Sequence, residues 1–164
     1  MSLRTGTRVA TTTKAIINPN NLKIEGFYCQ DSIHKKKQLV LVTQDIRDIL
    51  PAGFVVNDHD VLAEPDDLVR LKKIIDLNFE LLGKPVVSVS KQRLGKISDY
   101  STEITTLYIK KLYASQSVIK NLSGGSLGID RNQIVEITNR RIVVQDPLQP
   151  LKANAPVPAP ATAS

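Results

Sequence analysis

The residues of this chain best suited to chemistry are two histidines, one cysteine and a few clusters of polar side chains. A metal centre needs His, Cys or carboxylate ligands at spacings that bring them to one point. His34 precedes the run "KKK" and His59 sits inside "NDHD", and neither has a ligand partner at helical or hairpin spacing. No metal site is expected. The "NDHD" segment at 57–60 reads as a polar turn leading into a helix. "NLSGGSLG" at 121–128 is glycine-rich, but it lacks the Lys-Ser/Thr of a phosphate loop and precedes a strand where such a loop opens a helix. It reads as a hairpin loop. Cys29 aligns with Ala114 in the repeat described below and reads as a small buried residue. A reactive thiol requires exposure and nearby positive charge. With no Ser/His/Asp set in a recognisable context, the expectation is a protein without catalytic residues or cofactor, not an enzyme.

The elements that position these residues follow from composition. Aromatics are scarce, with three Phe, four Tyr and no Trp, so the core must be built from Val, Ile and Leu. Branched side chains pack well on a pleated surface, which favours β structure. The single cysteine excludes an intramolecular disulfide and fits a reducing compartment. No apolar run approaches the ~20 residues that span a bilayer, and "MSLRTGTRVATTTK" lacks the apolar stretch of a secretory signal. A soluble cytoplasmic protein with no membrane insertion is expected.

The chain repeats itself. "VLVTQDIRDILPAGFVVND" (40–58) and "GIDRNQIVEITNRRIVVQD" (128–146) share their apolar order at an offset of 88, with Leu41 on Ile129, Ile46 on Ile134, Val56 on Val144 and Asp58 on Asp146. "LKIEGFYC" meets "LYIKKLYA" at an offset of 85, with Leu22 on Leu107 and Tyr28 on Tyr113. "TGTRVATTT" is placed on "LGKPVVSVS" at an offset of 77, with Gly6 on Gly83 and Val9 on Val86. These offsets give the second copy about 8 extra residues before the central strand and about 3 after it. Both copies alternate apolar and polar residues in the manner of half-buried strands.

Between the copies the period lengthens. In "EPDDLVRLKKIIDLNFELLG", Pro65, Asp66 and Asp67 suit a helix N-terminus, and Leu68, Leu71, Ile74 and Ile75 fall on one face. The spacing predicts a helix from about 66 to 78 that packs this stripe on one barrel or both. After Pro147 the composition turns to Pro and Ala, too poor in large apolar side chains to offset ordering entropy, so residues 148–164 are expected to be a disordered tail.

The second copy resembles the PRC-barrel domain family in "LLGKPVV", in "LGKISD" (Leu94, Gly95, Lys96, Ile97, Asp99) and in the closing "QIVEI" and "RIVV". That family supplies the reaction-centre H subunit and the C-terminal domain of RimM-type ribosome maturation factors. The resemblance covers residues 80–147 and reaches 5–60 only through the repeat, the first copy lacking a match to "GKISD". It implies a mainly β fold of two tandem small PRC-type β-barrels joined by a short α-helix. The domains are then 1–62 for the first barrel, 63–80 for the linking helix and 81–147 for the second barrel.

Charge is shared unevenly. Residues 1–82 hold eleven basic and eleven acidic side chains, whereas 83–164 hold eleven basic and five acidic. A function that uses charge should use the second half. Arg93, Lys96, Lys110, Lys111, Arg131, Arg140 and Arg141 are the candidate binding surface, for an acidic protein patch or for RNA phosphates. Sequence-specific RNA readout stacks bases on aromatics, and this half offers only Tyr100, Tyr108 and Tyr113. The expected function is a non-catalytic cytoplasmic adaptor for a protein partner. The alternative, implied by the likeness to RimM-type proteins, is a ribosome- or RNA-associated maturation factor.

Overall fold

A computed structural model of the chain describes residues 1–116 and 125–146. The expected tail, Lys120 and residues 121–124 of the 121–128 loop lie outside these residues. The described chain is mainly β and divides into two compact units. One comprises Met1–Glu80 with Thr102–Ile109, and the other Leu81–Ser101 with the residues after Ile109.

In the first unit, β1 (Ala10–Asn18), β2 (Lys23–Asp31) and β3 (Gln38–Val42) form one antiparallel sheet in that order. A single-turn 3-10 helix, Thr43–Asp45, then bends the chain into a second hairpin of β4 (Ile46–Leu50) and β5 (Gly53–Val56). Alternation gives the first sheet two apolar faces. Val9, Cys29, Leu41 and Val56 meet on one, where the tilted rings of Phe27 and Phe54 pack with centroids 4.6 Å apart. Ile16 and Val40 turn to the other and are covered by Leu68, Leu71, Ile74 and Ile75. The predicted apolar stripe thus packs on the first unit.

The helix itself is shorter than predicted. A 3-10 turn, Pro65–Asp67, precedes α1 (Val69–Ile75), and Leu68 between them leaves helical geometry at ψ 73. At the other end, Asn78 takes a left-handed φ of 46 and its N–H bonds to the carbonyl of Ile75, which ends the helix.

The second unit holds β6 (Pro85–Ser88), β7 (Arg93–Thr102), β8 (Ile109–Ser115), β9 (Ser126–Asp130), β10 (Ile134–Ile137) and β11 (Ile142–Val144). They form one six-stranded sheet in the order β10-β11-β6-β7-β8-β9, antiparallel between β10 and β11, β6 and β7, and β8 and β9, and parallel between β11 and β6. The 3-10 helix Arg131–Gln133 joins the two edge strands, and a reciprocal Asp130–Gln133 capping box holds it. Neither unit is the closed barrel expected from the sequence. The 3-10 corner turns the chain so that β9 pairs only with β8 and β10 only with β11, and the hydrogen-bonded ladder stays open there.

The offset of 88 holds in detail, placing β3, the 3-10 turn and β4 on β9, the second 3-10 turn and β10. The offset of 85 also holds. Leu22 (φ 54) and Leu107 (φ 58) take the same left-handed turn, each bonding back four residues, to Asn18 and Glu103. The offset of 77 is overturned. Ser2 bridges Val56 as Ser88 bridges Val144, an offset of 86. Thr13 Oγ1 donates to the carbonyl of Tyr28, as Ser98 Oγ does to that of Tyr113, an offset of 85. Gly6 therefore matches Lys91, both left-handed and both bonded to the preceding serine carbonyl. "VATTT" matches "LGKIS", so the first copy does contain the segment it was expected to lack. Short threonine- and valine-rich stretches overlay at several offsets, and only their hydrogen-bond partners select one.

Candidate interaction surface

The geometry of the second sheet decides which basic side chains meet. Ile142, Val86 and Gly95 lie on one rung across β11, β6 and β7. One residue along, Pro85 pairs with Lys96, and Arg141 precedes Ile142. Ile142 and Val86 point inward and are buried, so by alternation Arg141 and Pro85 face outward. Lys96 is exposed. Two ladder steps separate Arg141 from Lys96, roughly 10 Å between backbones.

The turn that carries Arg140 and Arg141 is built by Thr138. Its hydroxyl accepts from the backbone N–H groups of Arg140 and Arg141 at 3.2 and 3.1 Å and donates to the carbonyl of Arg141 at 3.1 Å. A short side chain that bonds its own turn is what favours threonine at such a corner. Lys84 reaches the same turn, where its Nζ donates to the carbonyl of Asn139 at 2.7 Å with the side chain largely buried. Sequence reasoning missed Lys84. The parallel pairing of β11 with β6 brings it to this turn, and that pairing leaves no mark on the sequence around "PVV". Lys96 and Arg141 thus lie on the outward side at one end of β11-β6-β7, next to the turn of Arg140, while Lys84 braces that turn from the buried side. Glu136, opposite Val143, adds one carboxylate to the β10-β11 hairpin.

The remaining candidates are placed apart from this turn. Lys111 faces Asp130 across β8 and β9, its Nζ 3.5 Å from the carboxylate in a solvent-exposed ion pair. Lys110 opens the same strand beside it, Arg131 begins the 3-10 corner, and Arg93 begins β7 opposite Val87.

The polar residues first weighed for chemistry form structural pairs. His59 is not isolated: its Nε2 lies 2.9 Å from Asp31 Oδ1, which also accepts from the backbone N–H of Ile33 at 3.0 Å. The backbone N–H of Ile33, and then the His59 ring, hold the Asp31 carboxyl below the usual range. Within "NDHD", Asp58 accepts from the N–H of His59 at 2.8 Å and from Ser2 Oγ at 3.2 Å. Its carboxyl is lowered, first by that N–H. The counterpart Asp146 accepts from Ser90 Oγ at 2.8 Å and is lowered first by Ser88. Burial raises the Cys29 thiol and disfavours its reactive thiolate. No group of three His, Cys, Asp or Glu among the described residues is arranged to hold a metal ion. No helix among them is long and apolar enough to cross a membrane.

No protein-family model and no curated protein matches the chain.

Proposed function

We propose that the protein is a non-catalytic cytoplasmic adaptor that binds an acidic protein partner, and that its two units are PRC-barrel-like domains in tandem. The recurrence of strand order, 3-10 corner and serine turns in both units supports the tandem reading. The observation that carries the binding reading is the Thr138-braced turn. Arg140 and Arg141 are both exposed there, and neither has an ion-pair partner among the described residues. The matching positions of the first copy are Ala52 and Gly53, so the shared framework does not call for these charges. Unpaired guanidinium groups on a rigid turn suit carboxylates, which they bind through two parallel hydrogen bonds.

The test is a pull-down from the cells of origin with the unmodified chain and an Arg140→Glu/Arg141→Glu variant, each with and without ribonuclease. An acidic protein retained after ribonuclease and lost with the variant supports the reading. Retention that disappears on digestion would replace it with the RNA- or ribosome-associated alternative. Equal retention by both chains would reject this turn as the binding surface.

A further inference from the structure

The outward side of β6 is apolar where a strand facing water would be polar. Val86 and Ser88, each 1% exposed, point into the second unit, and the outward positions are Pro85, Val87 and Val89. Val89 lies just past the strand, continues the ladder by donating its N–H to the carbonyl of Val144 at 2.9 Å, and is 53% exposed. Val143 stands beside Val87 on β11. Half-solvated strands alternate apolar with polar residues, and strands covered on both faces do not. Cations flank this apolar row. Lys96 and Arg93 on β7 pair with Pro85 and Val87, and Arg141, with Arg140 before it, precedes Ile142 on β11. None of the four has an ion-pair partner among the described residues. Against them stand Glu136, paired with Val143, and Asp146, which already accepts from Ser90 Oγ at 2.8 Å. By the offsets established above, Arg141 and Lys96 correspond to Gly53 and Thr11, so the cations beside Pro85 belong to the second unit alone.

We propose that the outer face of β6 receives an acidic amphipathic helix of a protein partner. Its apolar stripe lies along Pro85, Val87 and Val89, and its carboxylates reach the cations on either side. The inference rests on the reading of the basic turn as a binding surface and names the form of its partner. β6 lies between β11 and β7, so no further strand can pair with it and recognition comes from side chains above the sheet. Alternate residues of a strand stand about 7 Å apart, close to the ~6 Å rise between residues i and i+4 of a helix. One apolar row therefore fits the other, as when a helix lays its apolar face on a hydrophobic surface. Charge complementarity selects an acidic helix, because guanidinium and ammonium groups flank the row on both sides.

The probe is a fluorescein-labelled peptide of three LEEIAEE heptads, which sets an apolar stripe between glutamates. Its comparisons are an isomer with leucine and isoleucine dispersed around the helix, a poly-glutamate peptide and an oligouridylate. Titrated against the full chain at low salt, the striped peptide should bind saturably and at least tenfold more tightly than the isomer. Val87→Ser/Val89→Ser should remove that advantage and leave poly-glutamate binding unchanged, whereas Arg140→Glu/Arg141→Glu should weaken both. Val89→Ser alone, at an exposed position, and amide-shift mapping on the unmodified chain keep the test decisive if the double variant does not fold. Shifts centred away from Val87 and Val89 overturn the proposal. Equal binding of stripe and isomer, both lost with the arginine variant, overturns the helix and leaves the basic turn as a carboxylate site. No saturable binding of any acidic peptide, or binding that the arginine variant leaves unchanged, overturns both readings. Tighter binding of the oligouridylate overturns the proposal in favour of RNA. A tenfold gain on removing residues 149–164 would assign the face to the chain's own C-terminal segment, and a concentration-dependent dimer abolished by Val89→Ser would assign it to a second copy; either result overturns the proposal.

Discussion

His59 Nε2 lies 2.9 Å from Asp31 Oδ1, joining residues 28 apart in the chain. The carboxylate is almost wholly enclosed, with 1% of its side chain exposed, while the imidazole is about one-third exposed. The bond closes the segment after β2 onto the 3-10 turn His59–Val61.

Asp31 makes stability depend on acid. Its folded pKa is depressed, first by the Ile33 N–H and then by His59. The contribution is therefore fully present above the unfolded value of about 3.9 and is lost as pH falls through the lower folded value. Asp31→Asn should lower the melting temperature at pH 7, and the gap to the unmodified protein should narrow below about pH 4. Thermal melts by circular dichroism from pH 2 to 7 check this. A gap that stays constant over that range would remove the carboxylate as its cause.

Gly95 is required by its surroundings, whereas Gly83 answers only to its own conformation. A Cβ on Gly95 would stand 2.3 Å from the carbonyl oxygen of Ser115, and its φ of +124 is one that other residues rarely take. Gly83 has φ +82 and open space around it. Gly83→Ala should cost about 1–2 kcal/mol. Gly95→Ala should exceed that by a further 1–3 kcal/mol because the backbones of β7 and β8 must part. Urea denaturation of the two variants compares them, and equal losses would contradict the close approach.

What the sequence revealed depended on the kind of signal. The recurrence of β3 and β4 in β9 and β10 was legible because Leu41, Ile46 and Ile49 keep one spacing to Ile129, Ile134 and Ile137, and a buried face allows little slippage; the 3-10 corner between them was not expected. The stripe of Leu68, Leu71, Ile74 and Ile75 was legible for the same reason, although Leu68 itself breaks the helix. The first strand was misplaced because Ser2 and Ser88 are matched by hydrogen bonds to Val56 and Val144, which leave no apolar pattern. The pairing of His59 with Asp31 was invisible because it rests on contact between distant segments. Lys84 and Arg141 share a corner only through the parallel pairing of β11 with β6, and periodicity along one strand cannot report which strands are neighbours.

The helix should matter most for the first unit. Leu71 is 7% exposed and packs with Ile16 and Val40. Leu71→Ala should cost about 2–5 kcal/mol, the range for emptying a buried leucine site. Val69, 76% exposed on the same helix, should tolerate alanine within about 0.5 kcal/mol. Chemical denaturation followed by tryptophan-free far-ultraviolet circular dichroism distinguishes them. Comparable losses at both positions would place the helix's apolar contact elsewhere.

The basic corner should behave as a binding feature separate from folding. Arg141 and Lys96 flank Pro85 on the outer face, and Arg140 is held by Thr138 without an ion pair among the described residues. Removing such charges leaves no buried group unsatisfied, so Arg140→Ala, Arg141→Ala and Lys96→Ala should each change stability by less than about 0.5 kcal/mol. Thr138→Val differs. It takes away the hydroxyl that accepts two N–H groups and donates to the Arg141 carbonyl, and should cost about 1 kcal/mol. It should also loosen the placement of both arginines. Binding to an immobilised poly-glutamate peptide at low salt then ranks the variants. Loss with Arg141→Ala at unchanged stability, and a smaller loss with Thr138→Val, is the expected order. A Thr138→Val variant that binds as the unmodified chain does would show that the turn's rigidity contributes nothing to recognition.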